Sequence, residues 1–312
     1  MAGGHSPKAN KVPPLYHHAM GNALPMPVVV GAPRSGTTLL RYLLDSHPAL
    51  AIPPETGFLA FAPSISGPGG ATRENLFRIV TNCPPDAPAW SDFGIDKDDY
   101  WNELLRIEPF ELAEGFRAFY RLYAAKQGKP RYGEKTPCYC EHIPLIESLL
   151  PEAHFLHIIR DGRDAALSLR PLWFAPGKDM RTLALYWRGL VRTGREGGAR
   201  ARSYMEVRYE DLVTDAGRVV RSICDFIQLE FDPAMLRFWE RTPERLREHR
   251  TRHWLDGSVQ VTHEQRLVQQ EMTMHPPDPT RIFNWKREMH PAECAEFVCY
   301  AGDTLKELGY EV

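Results

Sequence analysis

The stretch Val28–Leu44, VVVGAPRSGTTLLRYLL, constrains this chain more than any other. Three consecutive valines read as a short buried strand, because β-branched side chains suit a pleated, packed surface. Gly31 to Gly36 supply a turn, and Leu39, Leu40, Leu43 and Leu44 then recur at helical spacing between Thr37 and Leu44. A strand passing through a glycine-rich turn into a helix converges backbone N–H groups on one point, and the helix dipole adds positive charge there. Gly31–Thr38 fits the phosphate-loop spacing G-x-x-x-x-G-x-[ST], with Thr37 where nucleotide triphosphatases carry lysine. That lysine spans the β- and γ-phosphates, so its loss disfavours transfer of a terminal phosphate. Arg34, inside the loop, falls beside the position of the first phosphate-like group.

The same grammar recurs downstream. Phe155–Ile159 reads as a strand, Asp161-Gly162 as a turn and Arg163–Leu169 as a helix. Tyr204–Arg208 reads as a third strand, feeding a loop through Tyr209-Glu210-Asp211 and a helix from Asp215 to Phe226. Strands alternating with helices predict an α/β fold, a parallel sheet flanked by helices, with its ligand site at the carboxyl ends of the strands. A chain of 312 residues, 43% of them hydrophobic, can bury such a core. The Pro/Gly-punctuated residues 1–25 read as a flexible lead-in, and 26–312 as one domain. Within it, residues 57–130 form an insertion on the acceptor side. Residues 62–96 read mostly as loop. Phe116, Phe119, Tyr120 and Tyr123 recur at helical spacing between Pro109 and Ala125, a stripe suited to core packing.

The net charge of −2 gives no global pull toward nucleic acid, and no basic stripe interleaves with aromatics. No stretch reaches the roughly 18 to 20 apolar residues of a membrane span. Six cysteines match no zinc spacing and are too sparse for a disulfide scaffold, so reduced thiols in a cytoplasmic protein are expected.

GAPRSGTTLLRYLLDSHP resembles the 5′-phosphosulfate loop of sulfotransferases that use 3′-phosphoadenosine 5′-phosphosulfate (PAPS), especially the bacterial and protein-tyrosine branch. The resemblance implies that Arg34, Ser35, Gly36, Thr37 and Thr38 hold the 5′-phosphosulfate without a metal. It also implies that Arg160 and Ser168, eight residues apart in IIRDGRDAALS, bind the 3′-phosphate. An Arg at a strand end and a hydroxyl two turns into the next helix suit that chemistry. RYEDL, with Tyr209, is similar to the segment bordering the adenosine. Asn284-Trp285-Lys286-Arg287 is similar to the loop whose Trp-Lys pair closes over adenine and 3′-phosphate, although Phe283 stands near where many members have glycine. The product would be adenosine 3′,5′-bisphosphate.

In the tyrosine-sulfating branch a Glu 21 residues after the loop Arg is the general base. Glu55, in PPET, stands at that offset from Arg34, on backbone stiffened by Pro53 and Pro54. Lys135, in YGEKTP, matches the family lysine that supports the leaving oxygen. Glu55 would then accept the hydroxyl proton, while Lys135 and Arg34 stabilise developing charge. His47, next to Pro48, resembles a helix-capping His-Pro, and His154 and His157 read as packed. The run Arg241–Arg252, arginines alternating with glutamates, reads as a solvated helix face. The branch has an Arg two residues after its catalytic Glu, whereas this chain has Gly57, then Phe58, Leu59 and Phe61. That apolar run favours an uncharged acceptor, the hydroxyl of a small metabolite, lipid or sugar, over an acidic tyrosine peptide. A metal-dependent kinase and a non-catalytic nucleotide-binding module are the competing readings.

Overall fold

The computed structural model describes residues 24–65 and 70–312, so the lead-in expected over 1–25 lies almost wholly outside the described residues. The elements that build the site follow in chain order. They are β1 (Met26–Val30), α1 (Thr37–Asp45), α2 (Arg73–Thr81), α3 (Leu112–Lys126), β2 (Glu134–Lys135), β3 (Ala153–Ile159), α4 (Gly162–Leu169), α5 (Met180–Gly198), β4 (Tyr204–Arg208), α6 (Tyr209–Thr214), α7 (His263–Gln270) and α8 (Pro291–Glu307).

The central sheet has the order β2-β1-β3-β4 and every pairing in it is parallel. Val28 pairs with Glu134 and Val29 with Lys135 on one side of β1, while Val30 pairs with His157 on the other. Alternation along β1 sends Val29 to one face of the sheet and Val28 and Val30 to the opposite face. The first face packs against Leu40, Leu43 and Leu44 of α1. The second faces a larger core that includes Phe116, Phe119, Trp187 and Phe297. Both faces are covered, as an all-parallel sheet requires. The aromatic stripe of α3 lies in that larger core, with Phe58 stacked 5.6 Å from Phe116 and edge-on to Phe119.

Three local expectations are corrected. Residues 62–96 contain α2 as well as the short helix Ala62–Ile65. Thr72 caps α2 by accepting from the Asn75 N–H, Glu74 sits in its first turn, and Leu76 and Val80 are buried, so the segment carries its own start signal and apolar face. Tyr209–Asp211 is no loop but the first turn of α6, which begins directly after β4. The run Arg241–Arg252 is a solvated face only in part: Arg241, Arg247 and Arg250 are exposed, but two arginines are not. Arg245 is buried and donates to Asp45 Oδ2 at 2.8 Å, and Arg252 donates to buried Asp92 at 2.8 Å. Those carboxylates lie far upstream in the chain, where helical periodicity cannot register them.

Candidate active site

The turn between β1 and α1 is fixed by backbone conformations that few residues tolerate. Gly36 has φ +98°, and a Cβ there would collide with Cδ2 of Tyr209. Arg34 also takes a left-handed φ, +68°, which turns its side chain away from the strand direction. Gly36 caps α1 without any side-chain hydrogen bond, and no acidic residue occupies the first turn. The helix therefore presents uncapped N–H groups and unopposed dipole charge.

Above this turn lies a cavity of about 310 Å³. Arg34, Gly36, Thr37, Thr38, Arg160, Ser168 and Tyr209 line it, and thus the structure brings together the turn after β1, the start of α1, the residue after β3, and residues from α4 and α6. Arg34 Nε donates to Ser168 Oγ at 3.0 Å, and Arg160 donates to the Arg34 carbonyl at 3.2 Å. The Arg160 guanidinium sits 4.5 Å from the centre of the Tyr209 ring. Burial and the neighbouring Arg160 charge both hold the Arg34 pKa below its ordinary value. Two converging guanidinium groups favour an anion between them. The Nε of Arg160 is buried without a partner, which a bound oxyanion would resolve, whereas Ser35, also buried with an unpartnered Oγ, does not line the cavity. The opposite wall, from Gln269, Met272, Pro277 and Arg281, was not identified from sequence. Of these, only Arg281 carries a charge that could have signalled it.

Trp285 and Lys286 are placed elsewhere. The backbone N–H of Trp285 donates to Asp164 Oδ1 at 2.8 Å, and the indole ring lies 3.5 Å from the Arg163 guanidinium, its own Nε1 buried without a partner. Lys286 pairs with Glu311 at the surface, and Asn284 and Arg281 reach the cavity instead. Phe283 takes a left-handed φ of +53° just before this segment, and the indole stacks on Arg163 without lining the cavity.

Lys135 and Glu55 meet at the carboxyl end of β2, alongside the turn. Gly31 N–H donates to the Pro137 carbonyl at 3.1 Å, tying the turn to the segment after Lys135. Lys135 Nζ donates to Glu55 Oε1 at 2.6 Å; the lysine side chain is 4% exposed and the glutamate 50%. Packing around Glu55 raises its pKa, but the Lys135 ammonium outweighs this and holds the carboxyl below the usual range. Burial lowers the Lys135 pKa, and Glu55 opposes that shift. Neither residue lines the cavity, yet Glu55 is near enough for its charge to act on Arg34. Glu55 is thus a half-exposed carboxylate held toward its ionised form, outside the cavity lining and able to take a proton.

Phe58 and Leu59 are fully buried, so the apolar wall expected after Gly57 is reduced to Phe61, which is partly exposed. The 3-10 turn at Phe58–Phe61 rotates the first two side chains into the core. The histidines weighed from sequence are packed into the fold. His47, just beyond α1, accepts the Ala49 N–H on Nδ1 and bonds the Glu230 carbonyl through Nε2. Burial pushes His157 down to about 3. All six cysteines are free thiols. Among the described residues no helix is long and apolar enough to cross a membrane.

The geometry has counterparts. Residues 25–233 match the model of the Sulfotransferase family. Nodulation protein NoeE of Sinorhizobium fredii is 31% identical over 156 residues, 49% of this chain and 33% of that protein. Protein-tyrosine sulfotransferase 1 of Danio rerio is 25% identical over 221 residues, 68% of this chain and 56% of that protein. The chain therefore spans between one third and just over half of these relatives. The sulfotransferase domain of the Synechococcus PCC 7002 olefin synthase has the same fold, with a TM-score of 0.57 at 23% identity over 96% of this chain and 98% of that one. From its strand–turn–helix to its parallel sheet, and by a match covering most of its length, this chain belongs to the sulfotransferase family.

Proposed function

We propose that the protein moves the sulfuryl group of PAPS to the hydroxyl of an uncharged acceptor, leaving adenosine 3′,5′-bisphosphate. One observation carries the reading: two arginines, one of them with a buried and unpartnered Nε, converge on a cavity at a helix N-terminus, with the Glu55–Lys135 ion pair close enough for the Glu55 charge to act on Arg34. The turn N–H groups, Arg34, Ser35, Thr37 and Thr38 would hold the 5′-phosphosulfate, and Arg160 and Ser168 the 3′-phosphate. PAPS supplies the sulfuryl group. Glu55 accepts the acceptor's hydroxyl proton, and Lys135, released from Glu55 as that proton arrives, offsets charge on the leaving oxygen. The reading gives no role to a metal. Free cysteines suit a reducing compartment such as the cytoplasm.

For the acceptor, Gly57 offers no cation, and the nearby Arg252 and Arg266 are both spent on Asp92, at 2.8 and 2.7 Å. With those two guanidinium groups already paired, a neutral acceptor suits the Glu55 side better than a carboxylate-rich peptide. The segment 57–130 would supply part of that acceptor side.

The test is a mass-spectrometric transfer screen with PAPS, without added metal, across phenols, sugars, lipid hydroxyls and acidic tyrosine peptides. Gain of one sulfuryl group on a neutral acceptor is expected. An acidic peptide preferred by about tenfold in kcat/KM, a margin of roughly 1.4 kcal/mol, would reassign the acceptor. Glu55→Gln is expected to lose about 10²- to 10⁴-fold in kcat while donor affinity holds, the usual worth of a general base. Near-normal turnover of that variant would move the base elsewhere.

A further inference from the structure

Next to Lys135 lies Glu134, whose carboxylate is completely buried. It accepts from three hydroxyls: Thr136 at 2.6 Å, Tyr120 at 2.7 Å and Thr56 at 3.0 Å. These come from the residue after Lys135, from α3, and from the residue after Glu55. The surrounding bonds have one consistent direction. Thr56 N–H donates to Thr136 Oγ1 at 3.1 Å, and that hydroxyl donates onward to Glu134. Leu59 N–H donates to Tyr139 Oη at 2.9 Å, Tyr139 then donates to Thr56 Oγ1, and Thr56 donates to Glu134. Every proton in the network points at the carboxylate, which must be ionised to receive all three.

We propose that ionised Glu134 is a positioning residue that locks the Glu55 segment to the Lys135 segment, and that its protonation releases the lock. This rests on the assignment of Glu55 and Lys135 to catalysis. A neutral Glu134 brings a proton of its own, so one hydroxyl loses its acceptor and the chain to Thr56 or Thr136 must reverse.

The groups facing Glu134 leave it within reach of such a change. Burial pushes its carboxyl up to about 7, against the three hydroxyls and the Lys135 ammonium, which pull it down. Tyr120 and Tyr139 are held well above their ordinary values, by burial first and the Glu134 charge second. The Cys83 and Cys138 thiols, pushed up to about 12 mainly by burial, stay neutral. For stability the sign is opposite to that of an ion-paired carboxylate. The folded pKa exceeds the unfolded value, so the stabilising contribution is complete below the unfolded value and is lost as pH rises through about 7. Folding alone would favour the protonated acid; the network geometry needs the ion.

The test uses the full chain, first without acceptor. Infrared titration should show a buried carboxylic acid band that disappears as pH rises through neutrality, is missing in Glu134→Gln, and persists to higher pH in Tyr120→Phe, which has lost one donor. Amide exchange at Thr56 and Leu59 should be about tenfold faster in Glu134→Gln than in wild type at the same pH, the effect of one lost buried hydrogen bond. With an acceptor from the screen, wild-type kcat should fall on an acid limb near neutrality that Glu134→Gln lacks, its kcat being about 10- to 100-fold lower at alkaline pH. Binding of adenosine 3′,5′-bisphosphate should be unchanged. A carboxyl that titrates only in the ordinary range, or unchanged exchange at Thr56 and Leu59, overturns the proposal. If Glu134→Gln is too unstable to study, the direction of the Tyr120→Phe shift still decides it. Full activity of Glu55→Gln alongside a titrating Glu134 would instead remove the catalytic assignment and leave the lock standing.

Discussion

Arg160 is the residue whose surroundings say most about the ligand. It directly follows β3, packs over Tyr209, and still leaves its Nε buried without an acceptor. A guanidinium in that state favours a doubly charged oxyanion, and the 3′-phosphate of the proposed donor is such a group. Arg160→Ala is expected to weaken adenosine 3′,5′-bisphosphate by about 1.5 to 3 kcal/mol, or roughly 10- to 150-fold, in calorimetry. Adenosine 5′-phosphosulfate should bind the two proteins alike. A wild type that does not distinguish nucleotides with and without the 3′-phosphate would sink the assignment. At this scale Arg34, Arg160 and Ser168 were legible, because each is fixed by its distance from a strand end. Trp285 and Lys286 were not, because their direction depends on Arg163, Asp164 and Glu311, which the local motif does not mention.

The decisive element is the turn from β1 into α1. Its left-handed Gly36 lets the backbone pass against Tyr209, so the turn is shaped by α6 as well as by its own residues. Gly36→Ala adds a Cβ where none fits and imposes a conformation worth about 1 to 2 kcal/mol against an L-residue. Calorimetry should show adenosine 3′,5′-bisphosphate bound at least tenfold more weakly, since relieving the contact moves both Tyr209 and the N–H groups that face the cavity. Wild-type affinity in this variant would mean the turn does not form the binding surface. α2 is an instructive miss of the opposite kind. Pro, Gly and Ser around it suggested loop, but Thr72, Glu74, Leu76 and Val80 were already a cap and an amphipathic face.

Across the whole molecule, buried ion pairs join segments that are distant in sequence. Arg245 reaches Asp45 at the end of α1, and Arg266 on α7 reaches Asp92 before α3, so the C-terminal half is fastened over the sheet near the cavity's far wall. The Asp45 carboxyl is buried, which alone would raise its pKa, yet Arg245 and Lys129 hold it below the usual range. Arg245→Met removes one partner and strands the other, which costs about 3 to 5 kcal/mol in such pairs. Denaturant unfolding should show that loss, and replacing Asp45 as well should recover part of it. A change within experimental error for the single variant would mean the pair contributes nothing net.

Sequence alone determined the features whose physics is local: the β-branched strands, the glycine turn with its missing lysine, the apolar faces of α1 and α3, and the parallel α/β class they imply. Each depends on residues within a few turns of one another, where periodicity and backbone preference act. Tertiary structure alone decided which charges are buried, since the acidic partners of Arg245, Arg252 and Arg266 lie well over a hundred residues upstream. It also turned Phe58 and Leu59 into the core and gathered Thr56, Tyr120 and Thr136 around Glu134, because burial and hydrogen-bond satisfaction are properties of the packed chain rather than of any segment.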